Sequence, residues 1–163
     1  MRKLKRELGF LLAYPAQIGL GAFLCAVGGV LLWVSGGSGW YYLKAGQLPS
    51  LTAVFLLWTL LYALYGCLLA VILLTGKSIL NPKAALVGAA ATAASYLLSL
   101  GWYAVFFCTR LQVFAAILLI LAAAGLIAAA ISMRRTLILT FLAFLVLIGS
   151  EFYFICLTFS AIL

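Results

Sequence analysis

Few residues in this chain could do chemistry, and their types narrow the choice. Histidine is absent, aspartate is absent, and among 163 residues the only acids are Glu7 and Glu151. A Ser-His-Asp triad, a histidine metal site and an ordinary carboxylate pair are excluded, so no residue is assigned a catalytic or metal-ligating role. Aromatics, hydroxyls and thiols remain, and they gather on three helical faces. Phe55, Trp58, Tyr62 and Tyr65 are spaced 3, 4 and 3 residues apart, which puts all four rings on one side of a helix. Ser95, Ser99, Trp102 and Phe106 make a second such face, with a hydroxyl pair in line with an indole. Phe141, Phe144, Ile148 and Glu151 make a third. An ionisable group inside an apolar segment is a functional candidate by default. Buried indole N–H and phenol O–H groups need partners. Each face also has a plainer account: ring packing, serine bonds between helices, and a glutamic acid bonded to a neighbour or reaching the headgroups. The functional alternative is common to all three. Ring faces would hold a flat apolar molecule, and a few polar groups would orient it.

Cys25, Cys67, Cys108 and Cys156 fall in or near separate helices without a C-x-x-C pair. They read as packing residues.

The elements that position these faces follow from composition. The chain is 69% hydrophobic and 7% charged, against about 25% charged in a soluble domain. That balance makes it an integral membrane protein. A crossing of ~30 Å needs ~20 apolar residues, and the charge-free stretches supply five, expected at 12–34, 51–74, 84–107, 112–132 and 136–161. Ser35-Gly36-Gly37-Ser38-Gly39, Thr75-Gly76-Lys77, Asn81-Pro82-Lys83, Cys108-Thr109-Arg110 and Ser132-Met133-Arg134-Arg135 punctuate them. Pro15 suits a first helical turn. No small-x-small cleavage pattern follows the basic start, so the first span is expected to be retained. Short connections make successive helices antiparallel neighbours. The expected fold is all-α: residues 1–163 form a single compact bundle of five transmembrane helices.

Arg2, Lys3, Lys5, Arg6, Lys77, Lys83, Arg134 and Arg135 fall on one side of that bundle, and only Lys44 and Arg110 on the other. This places the N-terminus in the cytoplasm and the C-terminus outside. The net charge of +8 then reads as topology and contact with anionic lipid, not as a nucleic-acid footprint. Small residues at Ala85, Ala89 and Ala93, with Gly88 and Thr92, permit close helix approach within the bundle or in a homodimer. The longest connection, Ser35 to Ser50, carries Trp40-Tyr41-Tyr42 and Lys44. It suits an interfacial anchor or a lid over a cavity.

Five spans in this length, together with particular residues, give the chain a resemblance to the translocator protein family (TspO/MBR, the tryptophan-rich sensory proteins). Those residues are Trp40-Tyr41, Leu43, Pro49-Ser50, Trp58-Thr59-x-x-Tyr62-x-x-x-Gly66 and Ser99-Leu-Gly-Trp102-Tyr103-Ala-Val-Phe106-Phe107. Phe141-Leu142-Ala143-Phe144 is a weaker match. The resemblance covers nearly the whole chain, and its specificity lies in the order and spacing of the motifs. There are departures. Leu51, Thr52 and Ala53 stand where the family has a Trp and a Pro-Pro pair. Ser99 stands for an Asn and Phe144 for a Trp. Glu151 sits beside the position of another Asn, and Phe154 to Leu163 lacks the basic end of the animal cholesterol-recognition segment.

The resemblance implies a pocket inside the bundle for flat hydrophobic ligands: a tetrapyrrole such as protoporphyrin IX, or a sterol-like molecule. It places Trp40 in the lid. Trp58 and Tyr62 belong to the wall from the second span, Ser99 and Trp102 to that from the third, and Phe144 to that from the fifth. Phe55, Ser95, Phe106, Ile148 and Glu151 share those faces, and Lys44 and Arg110 stand at the entrance, where they could orient porphyrin propionates. No cofactor is required, and the expected location is the bacterial cytoplasmic membrane, as a multi-pass protein. The leading functional expectation is a sensor, carrier or scavenger of such ligands. A small transporter or channel using Glu151, a light-dependent tetrapyrrole-degrading enzyme and a purely structural subunit are the alternatives.

Overall fold

Inside hydrocarbon every backbone N–H and C=O must find a partner within the protein, and a helix does this segment by segment. The computed structural model describes residues 2–35, 49–76, 81–109, 111–133 and 137–162. Among them it has six helices: α1 Arg2–Ala13, α2 Pro15–Ser35, α3 Leu51–Thr75, α4 Pro82–Tyr103, α5 Gln112–Met133 and α6 Ile138–Ile162. A π-helical segment, Ala104–Thr109, continues α4. Five of the helices, α2 to α6, are long and apolar enough to cross a membrane. Their ends follow local chemistry. The Ser50 hydroxyl accepts from the Ala53 N–H at the start of α3. The Asn81 side chain accepts from the Lys83 N–H, with Pro82 in the first turn of α4. Both are N-caps that satisfy donors the helix leaves free.

The start of the chain departs from expectation. The first span was placed from residue 12, but the helix breaks at Tyr14 and restarts at Pro15. A residue before proline is pushed out of the helical region, so Arg2–Ala13 forms a helix of its own.

Helices α3, α4, α5 and α6 form a ring in which each packs on the next and α6 returns against α3. Helix α2 leans on α3 from outside, and α1 reaches across to α6. Only 6% of the membrane window of α2 is buried, against 44% for α3 and for α5, so α2 presents most of its surface to lipid. Glycines set the α2–α3 approach: a Cβ at Gly66 would run into the Gly21 carbonyl and the Ala22 backbone. Gly88 makes room for Met133 of α5. The small-residue face of α4 is therefore used inside the bundle, where Ala85, Gly88, Ala89 and Thr92 are buried.

One contact fixes α6, the helix that carries Glu151. Glu7 of α1 is buried. Its Oε2 accepts from the Leu139 N–H at 2.9 Å, and its Oε1 accepts from the Thr140 N–H and hydroxyl, both at 2.8 Å. Those are orphan donors of the first turn of α6, at the positive end of its dipole. No motif or spacing marks this acid for that contact.

Candidate functional site

The end of the bundle where α2 finishes and α3 begins is built of rings. Trp58 stacks on Tyr103 with centroids 4.2 Å apart, lies 4.7 Å from Tyr62 and meets Trp102 edge-on at 5.9 Å. Trp102 stacks on Phe106 at 5.2 Å and touches Phe154 of α6 at 5.0 Å. Its indole N–H donates to the Thr158 hydroxyl at 3.0 Å, which donates in turn to the Phe154 carbonyl. From α2, Trp33 meets Phe55, Trp58, Tyr103 and Phe107. Its carbonyl accepts from the Tyr103 hydroxyl. Each favourable ring pair adds ~0.5–1.5 kcal/mol beyond burial.

Deeper in the bundle the rings give way to a polar centre shared by three helices. The Tyr65 hydroxyl of α3 donates to Glu151 Oε1 of α6 at 2.7 Å, and the Ser99 hydroxyl of α4 donates to the same oxygen. Glu151 is only 4% exposed and Tyr62 only 1%. Yet Glu151 Oε2 and the Tyr62 hydroxyl are buried with no hydrogen-bond partner. A buried polar atom without a partner costs about 1–3 kcal/mol, and two such atoms at one place are unusual in a packed interior. Around them Tyr62, Tyr65 and Tyr96 stand in mutual contact, with centroids 5.2–6.2 Å apart.

Of the residues singled out from sequence, Phe55, Trp58, Tyr62, Ser99, Trp102, Phe106 and Glu151 belong to these two adjoining layers. Phe144 is buried and Ile148 half-buried, two turns and one turn below Glu151 on the same face of α6. Ser95 goes elsewhere. Its hydroxyl donates to the Ala122 and Ala91 carbonyls, each at 2.9 Å, and ties α4 to α5; Gly125 leaves the space for it. Trp40, Lys44 and Arg110 lie outside the described residues.

Sequence reasoning passed over Trp33, Tyr96, Thr158 and the carboxylate partnership of Tyr65. Tyr96 and Tyr103 are seven residues apart on α4 and could have been read as another ring-bearing face. Trp33 shares α2 with one other ring, the exposed Phe23 ten residues earlier, so no spacing marks it.

A recess of about 520 Å³ opens near the other end of the bundle. Leu11, Pro15, Ile18, Leu64, Cys67 and Thr140 are among its lining residues. It contains none of the residues selected from sequence and lies by the Glu7–Thr140 contact. The four cysteines are free, and among the described residues no three potential metal ligands cluster.

In this arrangement the rings are stacked on one another, and the polar atoms left without partners among them are Glu151 Oε2 and the Tyr62 hydroxyl. Comparison with protein-family models, with curated proteins and with solved structures gives no match.

Proposed function

We propose that this chain is a membrane protein that binds flat hydrophobic molecules inside its helix bundle, as the resemblance to the translocator protein family implies. Protoporphyrin IX is the first candidate and a sterol-like molecule the second. The observation that carries the reading is the meeting of Trp58, Tyr62, Trp102, Ser99 and Glu151 from three helices, with two buried polar atoms left unpartnered among the rings. In this structure the rings lie on one another. A ligand therefore enters by parting them, and ring–ring contact is exchanged for ring–ligand contact of similar strength. Helix α2 is the natural element to yield, because it packs mainly on α3. In this proposal Trp40 covers the site and Lys44 and Arg110 meet acidic groups of the ligand at its mouth. The protein sits in a bacterial cytoplasmic membrane with its N-terminus inside, and acts as a sensor, carrier or scavenger. A polar transport path through Glu151, Ser99 and Ser95 is a poorer reading, since the Ser95 hydroxyl is engaged by backbone carbonyls.

Titration of the detergent-solubilised protein with protoporphyrin IX tests the proposal. Saturable quenching of tryptophan fluorescence is expected, with the affinity reduced at least about tenfold when Trp58 and Trp102 are both changed to Leu. An absence of quenching, or quenching indifferent to that change, would reject it. Illumination of the complex separates binding from light-driven breakdown: a stable absorbance spectrum leaves a binding protein, and a bleaching one makes it an enzyme.

A further inference from the structure

Glu151 is a carboxyl group placed among rings, with two donors on one oxygen and the other oxygen buried without a partner. We propose that the bundle interior selects ligands bearing a positive charge, an ammonium group on a hydrophobic body, and that Glu151 Oε2 with the faces of Tyr62, Tyr65 and Tyr96 receives that group. The inference rests on the reading of this interior as a ligand site, and it names a chemistry that protoporphyrin IX, whose charged groups are acidic, does not supply, so a cationic amphiphile would displace it as the first candidate.

Three observations lead to it. First, both donors to the carboxylate, Tyr65 and Ser99, fall on Oε1, while Oε2 is buried and unpartnered. Second, among the described residues of the spanning helices no cation stands near the carboxyl. Helices α2, α3, α5 and α6 contain no Lys or Arg. The single one in α4, Lys83, is sixteen residues from Ser99, or ~24 Å along the helix. Held only by two neutral hydroxyls, the buried carboxyl has no countercharge; an unpaired buried charge is costly, so its ionised form is favoured only once a cation arrives. Third, Tyr65, which bonds the carboxyl, packs against the rings of Tyr62 and Tyr96, the latter anchored by its hydroxyl on the Cys25 carbonyl of α2. Ring faces are negative, and an ammonium within about 6 Å of them is attracted. Carboxylate and rings thus favour the same group. A metal ion is a poor alternative, because one carboxylate and neutral hydroxyls fall short of the ligand set that calcium or magnesium takes. A neutral donor would satisfy Oε2 but leave the charge unanswered. The Tyr62 hydroxyl, also unpartnered, is free to bond a polar substituent on the ligand.

The test uses two molecules of one shape: (1-naphthylmethyl)trimethylammonium, and neopentylnaphthalene, in which carbon replaces the charged nitrogen. Equilibrium dialysis against the solubilised protein, corrected by protein-free micelles, gives both affinities for the wild type and for Glu151→Gln. The Gln side chain keeps an acceptor for Tyr65 and Ser99. The ammonium should bind about thirtyfold more weakly to the variant, while the neutral molecule changes less than about threefold. Equal changes for the two molecules, or no change for the ammonium, would overturn the inference. If protoporphyrin IX binds while the ammonium ignores Glu151, the cation preference falls and the ligand site stands. If neither naphthalene nor protoporphyrin IX binds the wild type, both fall together. A variant that fails to fold leaves the wild type to decide by infrared difference spectra. A carboxylate band perturbed by the ammonium and not by its carbon isostere supports the inference, and an unperturbed band overturns it.

Discussion

The molecule holds two buried carboxyl groups in opposite situations. Glu7 lies against the first turn of α6 and accepts three hydrogen bonds, shared between both oxygens. A helix N-terminus offers it fixed donors and a favourable dipole. Glu151, farther along the same helix, has two hydroxyl donors on one oxygen and nothing on the other. The first group is consumed by structure. The second keeps capacity in reserve, and reserve capacity is what a binding site needs. Burial alone does not distinguish them, for they are 2% and 4% exposed; the count of satisfied lone pairs does.

Substitutions that break or sharpen this contrast differ in size. Glu7→Ala leaves three donors at the start of α6 without their acceptor, and a stability loss of about 3 kcal/mol is expected, read as a lower Tm in detergent. Glu7→Gln, which retains one acceptor oxygen, should lose about half of that. A Glu7→Ala protein as stable as wild type would show that the staple does not hold α6. Glu151→Leu strands the Tyr65 and Ser99 hydroxyls and should cost about 2 kcal/mol, whereas Glu151→Gln should stay within about 1 kcal/mol of wild type. Tyr62→Phe has the opposite sign. It removes a buried hydroxyl that bonds to nothing, so the ligand-free protein should gain about 1 kcal/mol while losing affinity for a ligand that uses that hydroxyl, a trade between stability and function. A destabilised Tyr62→Phe would mean that the hydroxyl has a partner in the membrane. Ser95→Ala is the smallest, with a loss of about 0.6 kcal/mol and no change in ligand binding, because that bond joins α4 to α5 away from Glu151.

The fold was legible because hydrocarbon thickness dictates the length of apolar runs, and the span limits read from sequence lie within three residues of the observed helices once the π-helical continuation to Thr109 is counted with α4. The largest shift, from residue 12 to Pro15, comes from proline. What could not be read is anything that depends on which helices touch. Ser99 and Glu151 each stood out, but 52 residues separate them, and only the return of α6 against the ring brings them together. Glu7 was invisible for the same reason, since its partners lie 132 and 133 residues away. Ser95 looked like its neighbour Ser99 on one helical face, and packing assigned one hydroxyl to a backbone carbonyl and the other to the carboxylate. Periodicity shows which residues share a face; it does not show what the face meets.

In the proposed function the ring-lined interior opens for a flat ligand. Fluorine NMR of protein labelled with 5-fluorotryptophan reads it directly, since the chain has four tryptophans, and replacing each by Phe assigns its resonance. On addition of protoporphyrin IX the Trp58 and Trp102 signals should both shift or broaden, saturating together. Four unmoved signals, or a change confined to Trp40, would contradict the account.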